Sequence, residues 1–377
     1  MTHRMSSIKL GILGATGMGG RDAVLHQAEL DESGENYADL EIVTGSPSSA
    51  GRKLGEVFQE KEENLSGRYG FWQPQECPEK YGDMTVKELD AERIAEKADY
   101  VISALPSSVA REIEPELRDR GVNVFSNASE FRWREEVPLM IPEVNPEDIE
   151  MLEDQENPGK QVNNPNCTTA GYVCVIEALR REFEVKEVDL VTMQSISGKG
   201  DKVASEDYSS RITGNAIDDW DRESNHNGEE IKSEIEPQKI LGFARTREQA
   251  LEKPEIDINA QTTRIPSQYG HLESVRIEFD ERISEEKISD VLDSWRPDSK
   301  VRELPSSPEN PIEVIAKQPE PRENVFTGKG MTVTVGDIRK IDEKRISLYS
   351  LSHNLRRGAT WTARQSMELY LKEKEIL

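Results

Sequence analysis

The chain begins its pattern with an apolar run, Ile8 to Leu13 in "IKLGILG", which reads as a short strand. A glycine-rich turn, "GATGMGG", and then an amphipathic helix follow. "DLEIVTG" reads as a second strand and Tyr100 to Ala104 as a third, buried one. Pro106 and its serines turn the chain, a helix runs from Val109, Gly121 ends it, and Val122 to Phe125 form another strand. Strands and helices alternating at this spacing predict a parallel sheet with crossover helices, so the chain is α/β to about Asn166. From Cys167, "CTTAGYVCVIEALRREF" predicts a helix with a broad apolar stripe of Tyr172, Val173, Val175, Ile176, Leu179 and Phe183.

Length and charge narrow the picture. The 377 residues exceed one typical core, so two domains are expected. The net charge of −25 argues against a nucleic-acid partner, which needs basic patches. It suits a strongly solvated surface, and both a salt-rich cytosol and an ordinary acidic protein satisfy it. Three cysteines with no CxxC cannot make a fully paired framework, which points to a reducing cytosol. The first residues lack the apolar core of a signal peptide, and no 18-residue apolar run occurs, so a cytoplasmic protein off the membrane is expected. No internal repeat is evident, and no metal is expected.

Gly14 and Gly17 let a phosphate approach the backbone, the helix start offers unpaired N–H groups, and Gly20 permits close helix–strand packing. An ordinary tight turn uses such glycines too, but their place directly after the first strand favours a dinucleotide. An NAD site usually closes the second strand with an acid. Here Ser46, Ser48, Ser49, Arg52 and Lys53 follow instead, which favours the extra phosphate of NADP over a merely polar loop.

Cys174 lies inside the apolar run, so core packing is its default role. Cys167 sits at the helix start, where free N–H groups would lower a thiol pKa and hold an oxyanion. A cysteine nucleophile needs a proton-transfer partner. Of five histidines, His3 lies at the chain start, His26 on the first helix, His226 in a polar loop and His353 in "SLSHNLRRGA". His271 lies in "TTRIPSQYGHLESVRIEF", seven residues after Arg264. That loop suits fixing a carboxylate and moving a proton, and scattered surface polarity would look the same.

Taken together, "GILGATGMGG", "SPSSAGRKLGE", "SALPSSVA", "NAS" with Arg132, "VPLMIPEVN", "NNPNCTTAG", "TMQSISGKG", "PQKILG", "RIP" to "GH", "KGMTVTVGDIR" and "LSHNLRRGA" resemble aspartate-semialdehyde dehydrogenases, particularly the archaeal and fungal branch. They fall in family order over nearly the whole chain. The resemblance implies that Cys167 is the nucleophile, with Gln194 beside it and His271 as acid–base. It implies Arg264 for the substrate carboxylate, Glu229 for its ammonium group, Lys232 and Arg132 for phosphate, and Asn127 in the same pocket. For the cofactor, NADP with NAD as alternative, it implies Gly14, Thr16, Gly17, Met18, Gly20, Ser46, Ser49, Arg52, Ser103, Leu105, Pro106, Ser197, Gly198 and Asn354. The reaction it implies joins aspartate β-semialdehyde and phosphate to aspartyl phosphate through a cysteine thioester, in lysine, threonine, methionine and isoleucine biosynthesis. The fold it implies is α/β: a Rossmann dinucleotide-binding domain (1–166 and 350–377) and an α+β catalytic and dimerisation domain (167–349). That second domain carries a largely antiparallel sheet, to which the alternating "SVRIEF" and "MTVTVGDIR" belong. A homodimer or homotetramer is expected.

Some positions depart from the family pattern. Lys199 replaces an alanine in "SGKG", Phe131 a histidine and Ser48 an arginine. Thr360, Trp361 and Thr362 are bulkier than the small residues usual beside the nicotinamide, which would reshape that pocket. Archaeal malonyl-CoA reductases are similar to the same family and would use the same thiolate on a CoA thioester. N-acetyl-glutamyl-phosphate reductase fits these stretches less well. A catalytically silent NADP-binding paralogue is the third reading, but it would be marked by loss of the thiol or the histidine, and both remain.

Overall fold

The computed structural model describes residues 8–218 and 228–377. Strands β1 (Ile8–Leu13), β2 (Ala38–Val43), β3 (Tyr100–Ser103), β4 (Asn123–Ser126) and β5 (Gln161–Asn163) form one parallel sheet in the order β2-β1-β3-β4-β5. Helices cross between them, as the alternating pattern requires. The strand order reverses between β1 and β3, which opens a crevice at their carboxyl ends. The helix expected from Val109 starts earlier, at Ser107. Pro106 presets its entry with φ −58°, and the Ser107 hydroxyl is engaged with Ser129 at 2.9 Å instead of opening a turn.

A second sheet holds β6 (Val185–Gln194), β7 (Asp257–Arg264), β8 (His271–Phe279), β9 (Ile312–Ile315), β10 (Val333–Lys340) and β11 (Arg345–Ser352), ordered β7-β6-β8-β11-β10-β9. The four inner strands pair antiparallel, and each edge strand pairs parallel to its neighbour. β11 runs through Ser352, so the strand crosses the expected boundary between 349 and 350. The helix read from Cys167 spans Thr169–Arg180 and is buried on every side from Thr169 to Leu179, not only along a stripe. It lies between β11, the helix Glu229–Ile240 and the turn Arg356–Thr360, so no face of it meets water. The final helix, Trp361–Glu373, returns to the first sheet, where Met367, Leu369 and Leu371 join Ile8, Leu10 and Ile12 in one core.

One acid sits buried in the second sheet's interior. Glu273 pairs across β8 with Thr192 of β6 and Ser350 of β11, and it is fully buried. Burial pushes its carboxyl well above the usual range, and the Ser350 hydroxyl only partly opposes this. Above about pH 4.3 the unfolded carboxyl releases its proton while the folded one retains it. Stability from this group is therefore full below that pH and falls as pH rises. Urea midpoints measured from pH 5 to 8 should decline in the wild type and flatten in Glu273→Gln. Parallel curves would contradict the protonated carboxyl.

Candidate active site

The crevice between β1 and β3 is a cleft of about 1000 Å³. Gly14, Thr16, Gly17, Met18, Ser46, Leu105, Pro106 and Gly198 line it, as expected. Gly14 takes φ +75°, which an L side chain disfavours, and the first helix starts at Gly17 with no side chain capping its first turn. A Cβ at Gly20 would meet the Gly14 carbonyl oxygen at 2.0 Å, so glycine is required where helix and turn touch. This bare backbone cradle at a helix N-terminus fits the pyrophosphate of a dinucleotide.

Six expected cofactor residues are absent from the lining, Gly20 among them. Ser49 is buried, with its hydroxyl 3.3 Å from that of Ser46, and Arg52 reaches Glu60 at 2.7 Å. Ser103 donates to the buried Glu114 at 2.7 Å, because successive side chains on β3 face opposite sides. Ser197 and Asn354 turn inward and bond each other at 2.9 Å. The bulky segment after "RRG" also faces elsewhere. Trp361 stacks on His26 with ring centroids 3.6 Å apart and lies under the Arg356 guanidinium, while Thr360 and Thr362 donate to the Leu355 and Arg357 carbonyls. None of these three side chains lines the cleft.

Cys167 lies in the turn before helix Thr169–Arg180, and its Sγ is 3.1 Å from His271 Nε2. His271 opens β8, fully buried. Its Nδ1 accepts the Ser195 backbone N–H at 3.2 Å, so the neutral ring carries its proton on Nε2, facing the sulfur. Burial, then Arg264, lowers His271 to about 3, which keeps the ring neutral. The depressed thiol pKa read from the sequence is not found. Burial first, then Glu229, pushes Cys167 up to about 12, against the pull of Arg264, Arg132 and Lys232. Two of the helix-start N–H groups thought to stabilise a thiolate are already occupied: Thr168 N donates to Asn166 Oδ1 at 3.0 Å and Ala170 N to the Asn166 carbonyl.

The expected substrate residues surround this pair. Arg264 ends β7, buried, and its Nη1 donates to the Ser195 carbonyl at 2.6 Å. Gly198 is pressed so close that a Cβ there would meet Arg264 Nη1 at 2.9 Å and His271 Cε1 at 3.2 Å. Glu229 opens its helix and accepts from Asn166 Nδ2 at 2.6 Å and from Lys232 Nζ at 3.1 Å. Burial alone would raise Glu229, but Lys232, Asn166 and Arg264 outweigh it and hold the carboxyl at about 2. Gln194 donates to Thr168 Oγ1 at 2.8 Å. Asn127 accepts from Asn164, which also reaches the Ala359 carbonyl. Arg132 is not poised over open space. It bonds Glu236 at 2.9 Å and the carbonyls of Asn127 and Pro165. Cys174 is buried as expected, yet it also faces Arg357 Nη2 at 2.7 Å, and Arg357 pairs with Glu143 at 2.6 Å. His3 and His226 lie outside the described residues.

Sequence reasoning missed Glu236, Asn166, Ser195 and Gly358. Glu236 accepts the Asn166 backbone N–H at 2.6 Å and so braces the residue before Cys167. A Cβ at Gly358 would meet that of Cys167 at 2.7 Å. Among the described residues no cluster of acids, histidines and cysteines could hold a metal, and no helix is long and apolar enough to cross a membrane.

A parallel dinucleotide-type sheet is joined to a second sheet, and Cys167 from the turn after β5 meets His271 at the start of β8, an arrangement that fits a semialdehyde dehydrogenase. Residues 9–152 match the semialdehyde dehydrogenase NAD-binding domain and residues 176–357 its dimerisation domain. The chain is 36% identical to the aspartate-semialdehyde dehydrogenase of Archaeoglobus fulgidus, over 97% of this chain and 99% of that one. It is also 29% identical to the malonyl-CoA reductase (NADP) of Metallosphaera sedula, over 98% of each. The structure of aspartate-semialdehyde dehydrogenase with NADP from Candida albicans superposes with a TM-score of 0.78 at 28% identity, covering 98% of this chain and 100% of that one. The chain belongs to the aspartate-semialdehyde dehydrogenase family.

Proposed function

We propose that the protein interconverts aspartyl phosphate and aspartate β-semialdehyde with NADP(H), through a thioester on Cys167. The observation that carries this reading is the 3.1 Å approach of Cys167 Sγ to His271 Nε2, with Arg264 and Glu229 acting on the same sulfur. In the reductive direction Cys167 Sγ attacks the acyl carbon, the carbon–sulfur bond forms, and phosphate leaves with the carbon–oxygen electron pair and the thiol's proton, as hydrogen phosphate. When bound, the reduced nicotinamide supplies the hydride that the thioester, unlike a carboxylate, accepts. His271 Nε2–H is placed to donate to the developing oxyanion, and collapse of the hemithioacetal returns the thiolate and releases aldehyde. Arg264 suits the substrate carboxylate and the ionised Glu229 its ammonium group. Ser46 and its neighbouring hydroxyls suit the NADP phosphate. Two copies would pair through the outer face of the second sheet, where Val191 is exposed beside Ser274 and Arg276.

Similarity to a malonyl-CoA reductase supports a second reading. Its supporting feature here is that Arg132 and Lys232 are already paired with Glu236 and Glu229. The test is oxidative. Aspartate β-semialdehyde, phosphate and NADP are mixed with the protein, and absorbance of the reduced cofactor is followed. Turnover that requires phosphate is expected. Turnover with CoA in place of phosphate would favour the second reading, and none with either, under NADP or NAD, would favour a silent paralogue.

A further inference from the structure

Three neighbouring strands of the second sheet bring their ends together beside His271. Ser195 follows β6, Gly270 precedes β8 and Asn354 lies just beyond β11, and because these strands pair antiparallel the three residues share one edge of the sheet. The Gly270 backbone N–H donates to Asn354 Oδ1 at 3.0 Å, which assigns the oxygen end of that carboxamide. The Ser195 hydroxyl, 2.9 Å from the same oxygen, must then donate to it. Asn354 Nδ2 donates to Ser197 Oγ at 2.9 Å, and Ser197 Oγ lies 3.3 Å from Ser195 Oγ. The three side chains therefore close a ring in which each donates once. All three are buried, where such bonds polarise and strengthen one another.

The direction of the ring bears on the chemistry. With its hydroxyl proton given to Asn354, Ser195 does not offer that proton to His271 Nδ1, 3.4 Å away, and meets the ring nitrogen with its backbone N–H. Its carbonyl accepts from Arg264 Nη1 at 2.6 Å. One peptide segment thus sets the histidine and the arginine, and Asn354 holds that segment by its side chain. We infer that Asn354 is a positioning residue for the reaction: by gathering the Ser195 hydroxyl and the Gly270 N–H on one oxygen, it fixes His271 in the tautomer that carries its proton on Nε2, toward Cys167. The inference rests on the role proposed for His271, and it replaces the cofactor contact that the family resemblance implied for Asn354. Without the carboxamide the Ser195 peptide is free to turn and its N–H leaves Nδ1. Ser195 Oγ then accepts a proton from that nitrogen, and the ring exchanges between tautomers.

Nitrogen NMR of the full chain labelled on histidine, at pH 7, tests this together with kcat and a calorimetric Kd for NADPH. The wild type should show His271 as a single Nε2–H tautomer, its signals assigned by their loss in His271→Gln. Asn354→Ala should draw the two ring-nitrogen shifts of His271 together, lower kcat about a hundredfold and leave the NADPH Kd within about twofold. Ser195→Ala keeps the N–H and removes only the hydroxyl, so it should move the shifts the same way and lower kcat about tenfold. Thermal unfolding shows whether the variants fold, and where Asn354→Ala does not, Ser195→Ala decides. His271 shifts that stay as in the wild type would overturn the inference. So would an NADPH Kd raised about tenfold in Asn354→Ala, which would return that residue to the cofactor. The shifts are read without substrate, so a wild type that did not turn over aspartate β-semialdehyde would remove the proposed reaction while the tautomer is still decided.

Discussion

Cys167→Ser is expected to lower turnover by about 10⁴-fold or more while leaving NADPH affinity within twofold. The substitution keeps the side chain's shape, so the loss would come from the weaker acid and poorer nucleophile. His271 Nδ1 already accepts the Ser195 N–H, which puts the ring proton on Nε2 and points it at residue 167. The ring therefore offers a donor to this position and no lone pair. Arg264, Arg132 and Lys232 pull the thiol towards its anion, although burial and Glu229 keep it protonated at rest. A hydroxyl, far less acidic, has no neighbouring base to take its proton. Steady-state assay with a parallel NADPH titration separates the two effects. A residual rate above about one per cent would show that Cys167 is not the nucleophile.

Glu236→Leu is expected to destabilise the fold by about 3–5 kcal/mol. Glu236 and Arg132 are both buried and 2.9 Å apart, so removing the acid strands a guanidinium away from water. The second carboxylate oxygen holds the Asn166 backbone N–H, so the turn bearing Cys167 also loses its anchor and kcat should fall with stability. Urea denaturation of Glu236→Leu, Arg132→Leu and the double variant gives the coupling directly. The double variant should be markedly more stable than the sum of the single losses predicts, because it leaves no lone buried charge. Additive losses would show that the pair is not acting as a pair.

These two residues show what the chain discloses and what it conceals. The alternation of strands and helices, the glycine turn and the positions of Cys167 and His271 were legible, because periodicity and local spacing carry them. β1 was read with its observed ends, Ile8 and Leu13. Glu236 was not legible. In "SEIEPQKILG" it looks like any solvated acid, and only the packing of its helix against Arg132 reveals the burial. The thiol pKa failed for a related reason. The helix start was placed two residues early, at Cys167 instead of Thr169, Asn166 takes two of the N–H groups there, and burial then sets the sign. Trp361 was assigned to the nicotinamide pocket by its neighbours in sequence, whereas His26 and Arg356, distant in sequence, decide where it packs.

The return of the last helix to the first sheet bears on how the protein is made. Ile8 and Leu10 leave the ribosome early, but Met367, Leu369 and Leu371, which complete their core, emerge some 350 residues later. Throughout that interval the nascent first domain exposes an apolar surface that its own sequence cannot cover. The second domain, whose sheet and helices lie between those two segments, is free to fold first. Folding order would then run from the middle of the chain outwards, and a chaperone holding the growing chain would find its binding site on the nucleotide domain.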